Sequence, residues 1–111
     1  MTIQYKSEVF DLTDTNLTTV LTVSTSAVAI VKTVQASHQN ASNVDADLYL
    51  KKSGGSDLEI GHAQLNKSMV NMIVNTLNLE AGDVIKMQAS SANEITGVVS
   101  YALIDRSQEN G

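Results

Sequence analysis

Asp45 and Asp47 are the first residues in this sequence whose type and spacing could do chemistry. Residues two apart on a strand share a face, so the pair could present two carboxylates to a cation. Calcium asks for about six to eight oxygens, usually gathered by one loop, and this stretch has no such loop. The pair reads as a solvated outer face that discourages edge aggregation. The two histidines, His38 and His62, stand far apart in a chain without cysteine. Zinc needs three or four donors, so about four in a structural site, and no serine occupies a nucleophile-elbow pattern near either histidine. Both read as surface or turn residues. Ser53-Gly54-Gly55-Ser56 is glycine-rich, but a phosphate loop carries lysine after its last glycine and opens a helix, whereas Asp57 follows here. That stretch reads as a hairpin turn. Met69, Met72 and Met87 could line an adaptable surface and read more simply as core filling. The chain is therefore expected to hold no catalytic residue, no metal and no cofactor, and not to be an enzyme; metal sites on sandwich folds of the cupin kind use clustered histidines, which this sequence lacks.

The elements that carry these residues follow from the period of the apolar positions. Val44 to Lys52 alternates most cleanly: Val44, Ala46, Leu48 and Leu50 point one way, Asp45, Asp47, Tyr49 and Lys51 the other. Leu17 to Val23 places Leu17, Leu21 and Val23 on one face, with Thr18, Thr22 and Ser24 opposite. Val28 to His38 is apolar on both faces at its start, as a central strand would be. Leu58 to Leu65 returns from the glycine turn, with Gly61 marking a bulge. Ile85, Met87 and Ala89 alternate with Lys86 and Gln88. Ile95 to Ile104 ends the pattern, with Val99, Tyr101 and Leu103 on one face. In "LEAGDVI", Gly82 suits a backbone that needs positive φ, and Asp83 suits a side chain that holds turn amides. Residues 64–79 read either as a strand or as a helix capped by Ser68; Asn71, Asn75 and Asn78 favour the strand.

These segments predict an all-β domain spanning residues 1–111, an antiparallel β-sandwich or jelly roll of about seven to eight strands. Residues 106–111 form a polar tail. With a net charge of −5 and scattered basic residues, no nucleic-acid partner is expected, because phosphate contacts need clustered Lys and Arg. No apolar run approaches membrane-spanning length, and "MTIQYKSEVF" has neither the basic nor the apolar region of a signal peptide. No membrane partner is expected, and synthesis in a host cytoplasm is. The first ten residues read as the first strand, or as an arm that adds to a neighbour's sheet edge. On the arm reading Ile3, Tyr5, Val9 and Phe10 are contact residues; Tyr49, outward beside Asp47 and Lys51, is a further candidate.

The order "LTTVLTV", "AIVKTVQASHQNAS", "VDADLYLKKSGG" and "LNLEAGDVIKMQASSANEITGVVSYALID" resembles the small virion structural proteins of tailed bacteriophages, especially head-decoration (cement) and tail-associated β-sandwiches. The resemblance covers Leu17 to Asp105 and rests on the strand layout, the L-x-x-G-D-x-I corner and the final "VVSYALI" strand. It implies a structural role: a homo-oligomer, a trimer first of all, bound to the major capsid protein or another virion protein at the capsid surface. The alternative is a tail-fibre-like module that binds a receptor glycan, for which the candidate cluster is Tyr49 with its charged neighbours.

Overall fold

The computed structural model describes residues 2–38, 44–65, 71–74 and 76–105. The expected polar tail, Ser68 and Met69 lie outside them. Nine strands follow one another: β1 Thr2–Leu12, β2 Thr18–Thr22, β3 Ala27–Ser37, β4 Val44–Lys51, β5 Asp57–Leu65, β6 Asn71–Val74, β7 Leu77–Leu79, β8 Val84–Ala89 and β9 Ile95–Asp105. Within residues 64–79, residues 64–65, 71–74 and 77–79 are strand, as the asparagines favoured.

The strands form two antiparallel sheets. The first has the order β1-β9-β3, with β6 and β7 both pairing β3; the second has the order β2-β8-β4-β5. β9 occupies one side of β3 along its length, so β6 and β7 together make one interrupted edge on the other side. Counting that edge once leaves eight positions shared between two sheets, the two interlocked Greek keys of a jelly roll. The expected fold class is the one observed, and β3 is the central strand that its apolar start announced.

The inward faces are the alternating apolar sets. Val44, Ala46 and Leu48 of β4 meet Ile85, Met87 and Ala89 of β8, and Ala29, Val31, Val34, Val99 and Tyr101 close the core from the first sheet. Register shifts interrupt β3 between Val31 and Thr33 and between Val34 and Gln35, so that Val31 and Val34, three residues apart, are both buried, and two further shifts lie in the second sheet. In β2 the register shifts between Thr19 and Leu21, so Val20 and Leu21 are both buried. Between β4 and β5 the register shifts at Leu48/Tyr49: Leu48 opposes Gly61 and Tyr49 opposes Glu59, which leaves Ile60 as the extra residue.

One corner ties three strand ends together. Gly82 sits at φ 83° and donates its amide to the Val23 carbonyl at 3.0 Å, and Val23 donates to the Asp83 carbonyl at 2.9 Å. Asp83 is fully buried. Its Oδ2 accepts from the Glu80 amide at 2.8 Å and from the Lys52 ammonium at 2.6 Å, and its Oδ1 accepts from the Ser53 amide at 3.3 Å. The turn role expected of Asp83 is correct, and its reach is longer than the turn: it bolts the β7–β8 corner to the start of the β4–β5 hairpin.

His38 departs from expectation. It is buried at 2 % exposure, and its Nε2 donates to the Leu65 carbonyl at 2.6 Å, because a carbonyl can only accept. The end of β3 packs on the end of β5, a contact between segments 27 residues apart that nothing local in the sequence announces.

Candidate functional site

The outer face of the first sheet is built on β1, which pairs with β9 at every position from Thr2↔Asp105 to Leu12↔Ile95. The first ten residues are thus the first strand of the sandwich. That strand is also a sheet edge: among the described residues no strand pairs with its other side. Residues 3–9 are exposed on both faces. Their inward side carries Gln4, Lys6 and Glu8, which stay polar and wet because β2, the facing edge of the second sheet, is only five residues long. Glu8 accepts a hydrogen bond from the Tyr101 hydroxyl at 3.3 Å. Burial, and then the neighbouring Glu8 carboxylate, push the Tyr101 phenol above its ordinary value. A cleft of about 230 Å³ opens here, lined by Glu8, Tyr101 and Thr19 to Thr22.

The outward side of β1 is apolar. Ile3, Tyr5 and Val9 are 53 %, 81 % and 83 % exposed. Cross-strand pairing continues the stripe inward: Ile3 opposes Ile104, which opposes Val28, and Tyr5 opposes Ala102, which opposes Ile30. Val9 opposes Val98 beside an open hollow of about 530 Å³ that Phe10, Asp11, Thr96 and Gly97 also line. Contiguous exposed apolar area of this kind marks interaction surfaces. Three of the expected contact residues, Ile3, Tyr5 and Val9, therefore share one face. Phe10 does not join them. It turns inward, 8 % exposed, with its ring over Gly97, its partner across the ladder, where a side chain would meet the Phe10 Cζ at 2.5 Å. Alternation sets Phe10 on the side of Glu8 and the buried Leu12, and Gly97 leaves the room its ring occupies there.

Tyr49 also stands apart, on the outer face of the second sheet. That face holds a cluster missed in the sequence. Asp47 opposes His62, and the bulge at Ile60 turns Glu59 onto the same side. One ligand atom from each of Asp47, Glu59 and His62 lies within 4.8 Å of the others. His62 Nδ1 donates to Asp47 Oδ1 at 2.5 Å, and this carboxylate, helped by Asp45 and Glu59, lifts the imidazole above its ordinary value. Burial raises the Tyr49 phenol as well, with Glu59, Asp47 and Asp57 adding to it. One imidazole and two carboxylates are three donors of the kind a first-row divalent ion accepts. Asp45 and Asp47 alone gave no such set; Gly61 was the sequence signal, since it marked the bulge.

No protein-family model matches the chain, and no curated protein does. Solved structures share its fold. One is a chain from the acid-stable capsid of Helicobacter pylori bacteriophage KHP30, with a TM-score of 0.56, 11% identity, and coverage of 96% of this chain and 90% of that one. Another comes from Bacillus endospore appendages, described as disulfide-linked pili, with a TM-score of 0.56, 10% identity, and the same coverage of 96% and 90%. A third is the CBM22-1–GH10 portion of Clostridium thermocellum xylanase 10B complexed with xylohexaose, at a TM-score of 0.50 and 7% identity; the match covers 78% of this chain and 18% of that one. At such identities the likeness is one of fold. The sequence has no cysteine, so a disulfide linkage of the pilus kind is not open to these residues.

Proposed function

We propose that this chain is a bacteriophage virion structural protein, a capsid decoration or cement protein that self-associates and binds the major capsid protein at the head surface. The observation that carries this reading is the apolar outward stripe on β1, whose outer edge pairs with no strand among the described residues. A strand whose edge is open and whose outward side chains are Ile3, Tyr5 and Val9 is suited to main-chain pairing with a neighbouring strand, while its apolar side chains bury against the surface beneath. On a repeating shell, weak contacts of this kind add up to firm attachment. A jelly-roll chain in a phage capsid structure is consistent with this reading. The trimer implied by the resemblance is one such assembly, and light scattering reads the oligomer directly.

The deciding experiment is co-sedimentation with phage heads that lack the protein. Saturable binding is expected, and the variant Ile3→Ser/Tyr5→Ser/Val9→Ser is expected to lose it while remaining folded. A monomer that ignores heads, but binds oligosaccharides on a glycan array through Tyr49, would replace this reading with the receptor-binding one. Tyr49 among Asp47, Glu59 and Lys51 on one outward face is the feature favouring that second reading.

A further inference from the structure

We propose that β1 is a homotypic pairing strand: its open edge pairs antiparallel with β1 of a second copy, across a twofold axis through Ser7. This rests on the assembly reading above, names another copy of this chain as the partner, and puts a twofold dimer in place of the trimer, because each copy has one β1 and a threefold ring cannot pair that strand with itself.

The sequence of the strand selects the register. About an axis at Ser7, Lys6 faces the partner's Glu8 and Glu8 faces the partner's Lys6, both on the inward side. On the outward side, Tyr5 faces the partner's Val9 and Val9 the partner's Tyr5. Opposite charges and aromatic–β-branched pairs are the cross-strand combinations that stabilise an antiparallel ladder. Moving the axis by one residue brings like charges together: at Lys6 the two lysines oppose each other, and at Glu8 the two glutamates do. Both neighbouring registers are penalised, and the one centred on Ser7 is favoured on both faces.

The surroundings permit the contact. Residues 3–9 are exposed on both faces, so among the described residues no other layer blocks the approach. Tyr101 binds Glu8 through Oε1, which leaves Oε2 to receive a lysine ammonium. Edge strands usually guard against association with charges or proline. β1 has no proline, and its Lys6 and Glu8 become a matched pair under a twofold. The product is one continuous sheet through both copies, with the two apolar stripes joined on one side.

A charge-swap series followed by sedimentation tests the pairing. Lys6→Glu and Glu8→Lys are each expected to weaken self-association by about tenfold, since two opposite-charge pairs become like-charge pairs. The double variant Lys6→Glu/Glu8→Lys restores the matched pairs and is expected to recover it. Failure of the double variant to recover overturns the proposal. A second measurement does not depend on charge. Opposed residues of an antiparallel pair lie about 4.5–5.5 Å apart at Cα, within disulfide range, so Ser7→Cys is expected to cross-link under mild oxidation faster than Thr22→Cys on the second sheet. Equal rates overturn the pairing. If the protein self-associates and Ser7→Cys stays uncross-linked, the assembly reading survives and this interface does not; a strictly monomeric protein removes both.

Discussion

Asp83 shows how one side chain reports on several strand ends. Burial pushes its carboxyl up, but the Lys52 ammonium and the amides of Glu80 and Ser53 outweigh burial and hold it below the usual carboxylate value. A carboxyl lowered in the folded state contributes stability above its unfolded pKa of about 4, and that contribution disappears as pH falls through the lowered value. Asp83→Asn keeps the shape but loses the charge and one acceptor. Urea unfolding at pH 7 should show it less stable by about 1–3 kcal/mol, with the gap to the parent closing below pH 4 or so; a gap independent of pH would mean that the ionised carboxylate is unimportant. Gly82→Ala belongs to the same corner. At φ 83° its added Cβ would sit 2.9 Å from Ser53 Oγ, so a loss of about 1–3 kcal/mol in the same assay is expected. Glycine and aspartate at this turn were readable in the sequence. The Lys52 and Ser53 partners were not, because they arrive from a hairpin 30 residues away.

At the level of strands, period was the dependable signal and interruptions were the undependable one. β4 and β8 lie where strict alternation put them, because both of their sides have one uniform environment. β2 and β5 each carry an irregularity that changes which residues face out, and only Gly61 hinted at either. β1 was read as a first strand or an arm and is a paired strand, and Phe10, named with the contact residues on the arm reading, is buried. Alternation along β1 puts it on the inward side with Glu8 and Leu12, and its ring fits there because position 97, in the last strand, has no side chain. That coupling is measurable. Phe10→Ala should cost about 3–5 kcal/mol, as truncation of a buried phenylalanine does. Gly97→Ala should also destabilise, since the new methyl collides with the Gln35 carbonyl and the Phe10 ring. Combined, the two substitutions should cost less than their sum, because removing the ring relieves one collision; strict additivity in thermal or urea unfolding would disprove the contact.

Across the whole molecule, the ladders join distant segments. β1 closes against β9, and β3 lies between β9 and the β6/β7 edge. Such topology makes folding slow, since chain closure precedes most of the favourable contact. Refolding after dilution from urea should therefore run on the millisecond-to-second scale expected of β-sandwiches; completion within microseconds would contradict this pairing order. The Thr2↔Asp105 pair has a further consequence. Opposed positions in an antiparallel ladder are only about 5 Å apart, so the first residue of β1 and the last of β9 lie side by side. A few glycines and serines would join the two ends into a ring, which could be reopened at the exposed Gly54–Gly55 bend, and the whole unit could be spliced into a surface loop of a host protein without stretching either.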